Sequence, residues 1–200
     1  MSRLPEASRT AIRAIYDQHE NLTAILDGMQ HFVDAMQVDA AALDLKVFRA
    51  MLFYINEYPE ILYHPNEDRY LFAKLRKRTR DLDVPLAELE FHRCRSAGLV
   101  RNLEHALNRY EFSGMQALPA LAGLVSDYAE FYRAQMKLEA EVILPEVEDI
   151  LQPEDWDEID QAFTTDHELS KEGGLKRDFE NMVAMIGNII PRSIGVSSVS

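Results

Sequence analysis

Cysteine, glycine, proline, cationic side chains and long apolar runs are all scarce in this chain of 200 residues. A single cysteine, Cys94, excludes an internal disulfide, and residues 1–6 lack the basic stretch and apolar run of a secretory signal, so a reducing, cytoplasmic compartment is expected. No segment reaches the roughly eighteen apolar residues of a membrane span, because Asp44, Lys46, Arg49, Arg101 and Glu104 interrupt the hydrophobic regions. Only 21 Lys and Arg stand against 34 Asp and Glu, a net charge of -13 that repels phosphate backbones and anionic bilayers. Neither nucleic acid nor a membrane is therefore an expected partner. Gly-x-Ser-x-Gly, a phosphate-binding loop and zinc-finger cysteines are also missing, which weakens hydrolase and nucleotide-dependent readings.

What remains is helical. With 47% hydrophobic residues the chain can bury a sizeable core. The eight glycines and eight prolines fall mostly between long stretches of helical period, and strand-like alternation is hard to find. A first helix over residues 5–36 carries Ile12, Ile15, His19, Leu22 and Leu26 on one face. A second begins near residues 39–41, turns Leu45, Phe48, Leu52 and Ile55 inward, and meets Pro59 and Pro65, either of which bends or interrupts a helix before Leu71, Phe72 and Leu75 restore the apolar face. A third carries Leu89, His92, Leu99, Leu103 and Leu107 to about residue 110, where Ser113 and Gly114 break the chain. The fourth, over residues 115–150, presents Leu121, Leu124, Tyr128, Phe131, Gln135, Glu139 and Val142.

Short connections force neighbours to run antiparallel, so the predicted fold is all-α, an up-down four-helix bundle over residues 1–152. Residues 153–190 are expected to add short helices, near 154–163 and 175–186, packed on the bundle, and residues 191–200 a flexible tail. No internal repeat is evident at this level.

Each long helix places one metal-competent side chain on its apolar stripe: His19, Glu67, His92 and Glu139. Taken singly, each has an ordinary explanation, a hydrogen-bonded histidine or a solvated acid such as Glu67 beside Asp68 and Glu139 near Glu141. Taken together, two carboxylates in a low-dielectric interior require cationic partners, protonation or water, and a metal ion satisfies them most directly. Tyr16, Tyr128 and Tyr132 read as packing residues, Cys94 as a small buried hydrophobe, and His31, His105 and His167 as surface or capping residues.

Four strings carry a more specific signal: Tyr16-Asp17-Gln18-His19-Glu20; Leu62-Tyr63-His64-Pro65-Asn66-Glu67-Asp68-Arg69-Tyr70-Leu71-Phe72; Glu90-Phe91-His92-Arg93; and Tyr128-Ala129-Glu130-Phe131-Tyr132-Arg133 running into Glu139, Glu141 and Leu144-Pro145. In order and spacing they resemble the hemerythrin-like proteins with the HHE cation-binding domain, over roughly residues 11–163. The resemblance implies a non-heme di-iron centre with His19, Glu67, His92 and Glu139 among its ligands. Two positions depart from the family pattern. Where its helix-two histidine stands four residues before the glutamate, this chain has Tyr63, with His64 next to it; where its helix-four histidine stands, it has Gln135.

Tyr63 is either a core aromatic filling the space of a lost histidine or a phenolate ligand, a hard donor that favours ferric iron. His64 could replace it only if the helix rotates or kinks at Pro65. Gln135 offers a weakly donating carbonyl oxygen, which leaves a coordination position open. What the resemblance implies is thus a protein handling a small oxidant such as dioxygen, peroxide or nitric oxide, with iron as cofactor; a homodimer is a separate expectation. The contrasting reading is a metal-poor bundle acting as a sensor or interaction module, and a third is a single-metal site with zinc or iron.

Overall fold

The computed structural model describes residues 6–38, 44–62, 64–172, 177 and 181–184; among them there is no strand and no helix long and apolar enough to cross a membrane. The first helix, α1, spans Glu6–Val38, and α2 spans Leu45–Leu62. Asp44 starts α2: its carboxylate accepts the Lys46 N–H at 2.9 Å and its carbonyl the Val47 N–H at 2.9 Å, which satisfies two of the orphan donors of a helix start. Pro59 lies inside α2 without ending it. After a short α3, His64–Asn66, the chain forms a π turn at Glu67–Phe72 and returns to α geometry in α4, Ala73–Arg78.

The next helix, α5, runs from Asp83 to Ser113 and ends at Gly114, whose φ of 64° lies in the left-handed region that favours glycine. Its buried residues are Leu86, Leu89, Arg93, Ser96, Val100, Leu103, Leu107 and Tyr110, a strict alternation of three- and four-residue steps. This differs from the stripe expected through His92 and Leu99. Both are half-buried flanks, and the inward position belongs to Arg93. Cys94, expected inside, is exposed.

A 3₁₀ turn, Gly114–Gln116, leads into α6, Leu118–Leu138, followed by a second π turn at Glu139–Ile143 and by α7, Leu144–Ile150. The wide turn advances the helix phase, so two adjacent residues, Ile143 and Leu144, both face inward while Val142, expected inside, is 44% exposed. The earlier π turn does the same with Leu71 and Phe72. The two segments share a local pattern that the sequence reading missed: Glu67, Leu71, Phe72, Leu75 and Glu139, Ile143, Leu144, Val147 are spaced identically.

Helix α8 spans Pro153–Glu172, longer than the expected 154–163, and packs mainly on α1 through Trp156, Ile159 and Phe163. Of the helix expected over 175–186, Arg177 and residues 181–184 are helical, with Met182 and Val183 packed against the core; its other residues, like the 191–200 tail, lie outside the described residues.

The core falls into two clusters. One gathers Leu22 to Met36, Phe48 to Tyr58, Val100 to Tyr110 and Leu118 to Met136; the other gathers Ala11, Ile15, Leu71 to Leu89, Ile143 to Leu151 and the α8 residues. Between them each helical stretch contributes polar side chains: Gln18 and His19, then Glu67, then Arg93 and Ser96, then Gln135 and Glu139. This polar layer is the candidate site.

Candidate functional site

Glu67 and Glu139 each open a π turn, and they are 1% and 3% exposed, so neither is the solvated helix-face acid that its neighbours in sequence suggest. Two such carboxylates need compensation in a dry interior. The chain supplies it with Arg93. Its Nη2 donates to Glu67 Oε2 at 2.5 Å and to Glu139 Oε1 at 3.4 Å, while Nη1 donates to Asp68 Oδ1 at 2.7 Å at the edge of the layer. The apolar face of the guanidinium rests over Phe72, 5.2 Å from the ring centre. On the other side of Glu139, His19 Nε2 lies 3.3 Å from Oε2.

The two acids differ in state. Burial, with repulsion from Glu139, pushes Glu67 up to about 7 against the pull of Arg93 and His64. Burial works against ionised Glu139 too, but the His19 hydrogen bond and the Arg93 charge outweigh it and hold this carboxyl below its ordinary value. One carboxylate is thus held ionised, and the other takes a proton more readily than an ordinary glutamate. Tyr132, fully enclosed beside this charge, is pushed well above the usual phenol range, first by burial, and stays a neutral hydroxyl.

The hydrogen bonding is incomplete. Among the described residues Glu67 Oε1, Gln135 Oε1, His92 Nδ1 and Arg93 Nε are buried and find no partner. Most buried polar groups are paired, so the orphans that belong to the polar layer, on Glu67, Arg93 and Gln135, mark a place where something further binds or where strain is tolerated. Two of the four, Glu67 Oε1 and Gln135 Oε1, are oxygen acceptors.

The structure therefore brings His19, Glu67 and Glu139 into one connected cluster and places Gln135, buried, one helical turn before Glu139. His92 stands on the flank of the α5 stripe with its ring stacked on Phe131, centroids 4.9 Å apart. Tyr63 lies outside the described residues, and its neighbour His64 is buried. Of the tyrosines read as packing residues, Tyr128 and Tyr132 are buried, with Tyr128 bonded to Ser96 Oγ at 3.2 Å, and Tyr16 is exposed. Arg93 and Asp68 were not singled out from sequence. The signal for Arg93 was present: only the series through residues 89, 93, 96, 100, 103 and 107 keeps a strict three-four alternation of core positions.

Measured against a metal pair, the described donors do not fit, because Arg93 fills the space between the two carboxylates. Among the described residues no three His, Cys, Asp or Glu side chains stand close enough together to hold a metal ion. A single ion is not fitted as the side chains stand either; what the layer offers is unsatisfied oxygen acceptors on Glu67 and Gln135, with two buried carboxylates facing one guanidinium.

No curated protein and no solved structure matches the chain. The model of the hemerythrin HHE cation-binding domain matches residues 10–147, a span that holds His19, Glu67, Arg93, Gln135 and Glu139 and ends just short of α8. With more than half its length so matched, the chain belongs to the hemerythrin HHE cation-binding domain family.

Proposed function

We propose that this protein binds one metal cation per chain, iron in the first instance, in the polar layer between its two hydrophobic clusters. The four long helical stretches are taken to run up-down-up-down, so that the layer crosses the bundle near its middle. The observation that carries the reading is the pair of orphaned acceptors, Glu67 Oε1 and Gln135 Oε1, in a buried centre with two carboxylates and a single guanidinium. His19, Glu67, Gln135 and Glu139 would hold the ion, with Tyr63, four residues before Glu67 as Gln135 is before Glu139, as a further donor.

Bound iron would supply redox exchange with a small oxidant such as dioxygen, peroxide or nitric oxide. The chain's own residues exclude bulk water, keep Glu139 ionised through His19 and Arg93, and hold a proton at Glu67 close to neutral pH. Either one ion held by His19, Glu67 and Glu139 together or a di-iron centre of the family type would require Arg93 to leave the space between Glu67 and Glu139.

A specific observation favours a second reading. Arg93 already bonds both carboxylates, so the same layer can stand as a metal-free charge cluster in a bundle acting as a sensor or interaction module. Anaerobic purification with elemental analysis and an electronic spectrum separates the two. About one iron per chain is the expected result; two would restore the di-iron reading, and a colourless, folded protein that takes up neither iron nor zinc would favour the second. A tyrosinate-to-iron band lost in Tyr63→Phe would identify Tyr63 as a ligand.

A further inference from the structure

Helix α5 carries two stripes. The buried one, from Leu86 to Tyr110, faces the bundle. On the opposite side of the helix Val84, Phe91, Gly98, His105 and Phe112 recur at intervals of seven residues, two helical turns each. Val84, Phe91 and Phe112 are 76%, 60% and 91% exposed, and His105 is exposed between them. Single hydrophobic side chains in solvent are ordinary, but a row of them at heptad spacing has the form of a coiled-coil seam.

Gly98 stands in the middle of the row. A glycine inside a helix lowers its stability, and nothing within the described residues calls for one: a Cβ there would meet no atom within 4 Å outside its own stretch of helix. The surface is hollowed around it, with Arg95, Arg101 and His105 on the rim. A residue without a side chain, with open space before it, is what the close approach of another backbone requires.

From this we infer that a second copy of this chain packs its α5 antiparallel against the same face, with the twofold axis beside Gly98. The row is self-complementary about that point, as a contact between identical surfaces must be. Val84 and Phe112 lie fourteen residues to either side of Gly98, and Phe91 and His105 seven, so each meets the other member of its pair. The charges match as well. Glu88, ten residues before Gly98, comes opposite the partner's Arg109, eleven after; both are exposed, and neither enters an ion pair among the described residues, whereas Glu90 and Glu111 of the same helix are held by Arg76 and Arg49. A parallel pair would instead set Arg95 against Glu90, which Arg76 already occupies. The pairing is independent of what the polar layer holds.

Sedimentation equilibrium of the full chain tests this, and the mass of two chains is expected. Phe91→Glu should raise the dimer dissociation constant at least about 30-fold, as loss of a central aromatic anchor does. Gly98→Glu, which puts a like charge from each copy on the axis, should act in the same direction. Both positions lie on the outer face, so folded single chains are expected by far-UV circular dichroism; if Phe91→Glu does not fold, Phe112→Ser takes its place, with a weakening of at least about fivefold. A chain that stays single up to about 1 mM, or a dimer unmoved by these substitutions, would overturn the inference.

The antiparallel order has its own test. Glu88→Arg should weaken the dimer about threefold or more at low salt, and adding Arg109→Glu should restore it to within about twofold. No recovery in the double variant would overturn the order, and so would a covalent dimer of the wild-type chain through Cys94 under oxidised glutathione, since only a parallel pair brings the two Cys94 side chains together.

Discussion

Two charge groups in this molecule, one at a partly exposed seam and one buried, are built from the same kinds of residue and reach opposite outcomes. At the seam between α8 and the bundle, Asp155 meets Lys74 at 3.4 Å and Arg78 at 2.9 Å and also accepts the Gln152 N–H at 3.1 Å, while Glu158 takes Lys74 at 2.6 Å. Although burial opposes it, the Gln152 N–H and the two cations draw the Asp155 carboxyl below its ordinary value. In the polar layer cations are fewer: Glu67 and Glu139 share one guanidinium, and the Glu67 carboxyl rises. An acid with two cations and a backbone donor is a fastener. Two acids that share one cation keep an excess of negative charge.

The sharpest way to break this comparison is to remove the central acid of each group. Glu139→Ala takes away the carboxylate shared by His19 and Arg93, and metal affinity should fall by more than about 100-fold, beyond the usual effect of residues behind the ligands. Isothermal titration with zinc reads the loss. Asp155→Ala should leave that affinity within about twofold and instead destabilise the fold by about 2 kcal/mol, through a lost helix-start bond and two partly screened ion pairs. Urea unfolding measures it as a lower midpoint with an unchanged slope.

The pH dependence should separate the groups by sign. Glu67 titrates near 7 in the metal-free fold against 4.5 when unfolded, so the native state holds more protons in that window. Its contribution makes the protein less stable as pH rises from about 4.5 to about 7, and Glu67→Gln should flatten that slope in urea midpoints. Asp155 has the opposite sign: its stabilisation is present above 3.8 and is lost as pH falls through its lowered folded value. The smallest effect belongs to a surface pair. Arg76→Ala removes the bond to Glu90 at 2.6 Å, and a cost under about 0.5 kcal/mol is expected in the same unfolding experiment.

Several of these features were legible without coordinates. His19 recurs with Ile15, Leu22 and Leu26, and Glu67 and Glu139 stand four residues before core positions, so their inward placement follows from helical period alone. Gln135 four residues before Glu139 follows in the same way. On α5 the period was read one residue out of register. His92 is the residue type that attracts attention, yet Arg93 keeps the strict alternation with Leu89, Ser96 and Val100, and an arginine is easily assigned to solvent. Val142 was misplaced for another reason, since a regular helix through Glu139 carries both Val142 and Ile143 inward and the π turn replaces that pair with Ile143 and Leu144. Cys94, about 100° round the helix from Arg93, lies off the buried stripe and is exposed.

The sequence by itself determined the all-helical class, the positions of the long helices and the burial of one carboxylate in each half of the chain, because these depend on periodicity and turn residues within a segment. Tertiary structure alone decided where the helices widen into π turns and that the arginine on the α5 stripe stands between Glu67 and Glu139. Period fixes the relative phase of residues along one helix, whereas its absolute rotation, and the partner a buried charge finally meets, are set by what the neighbouring helices pack against it.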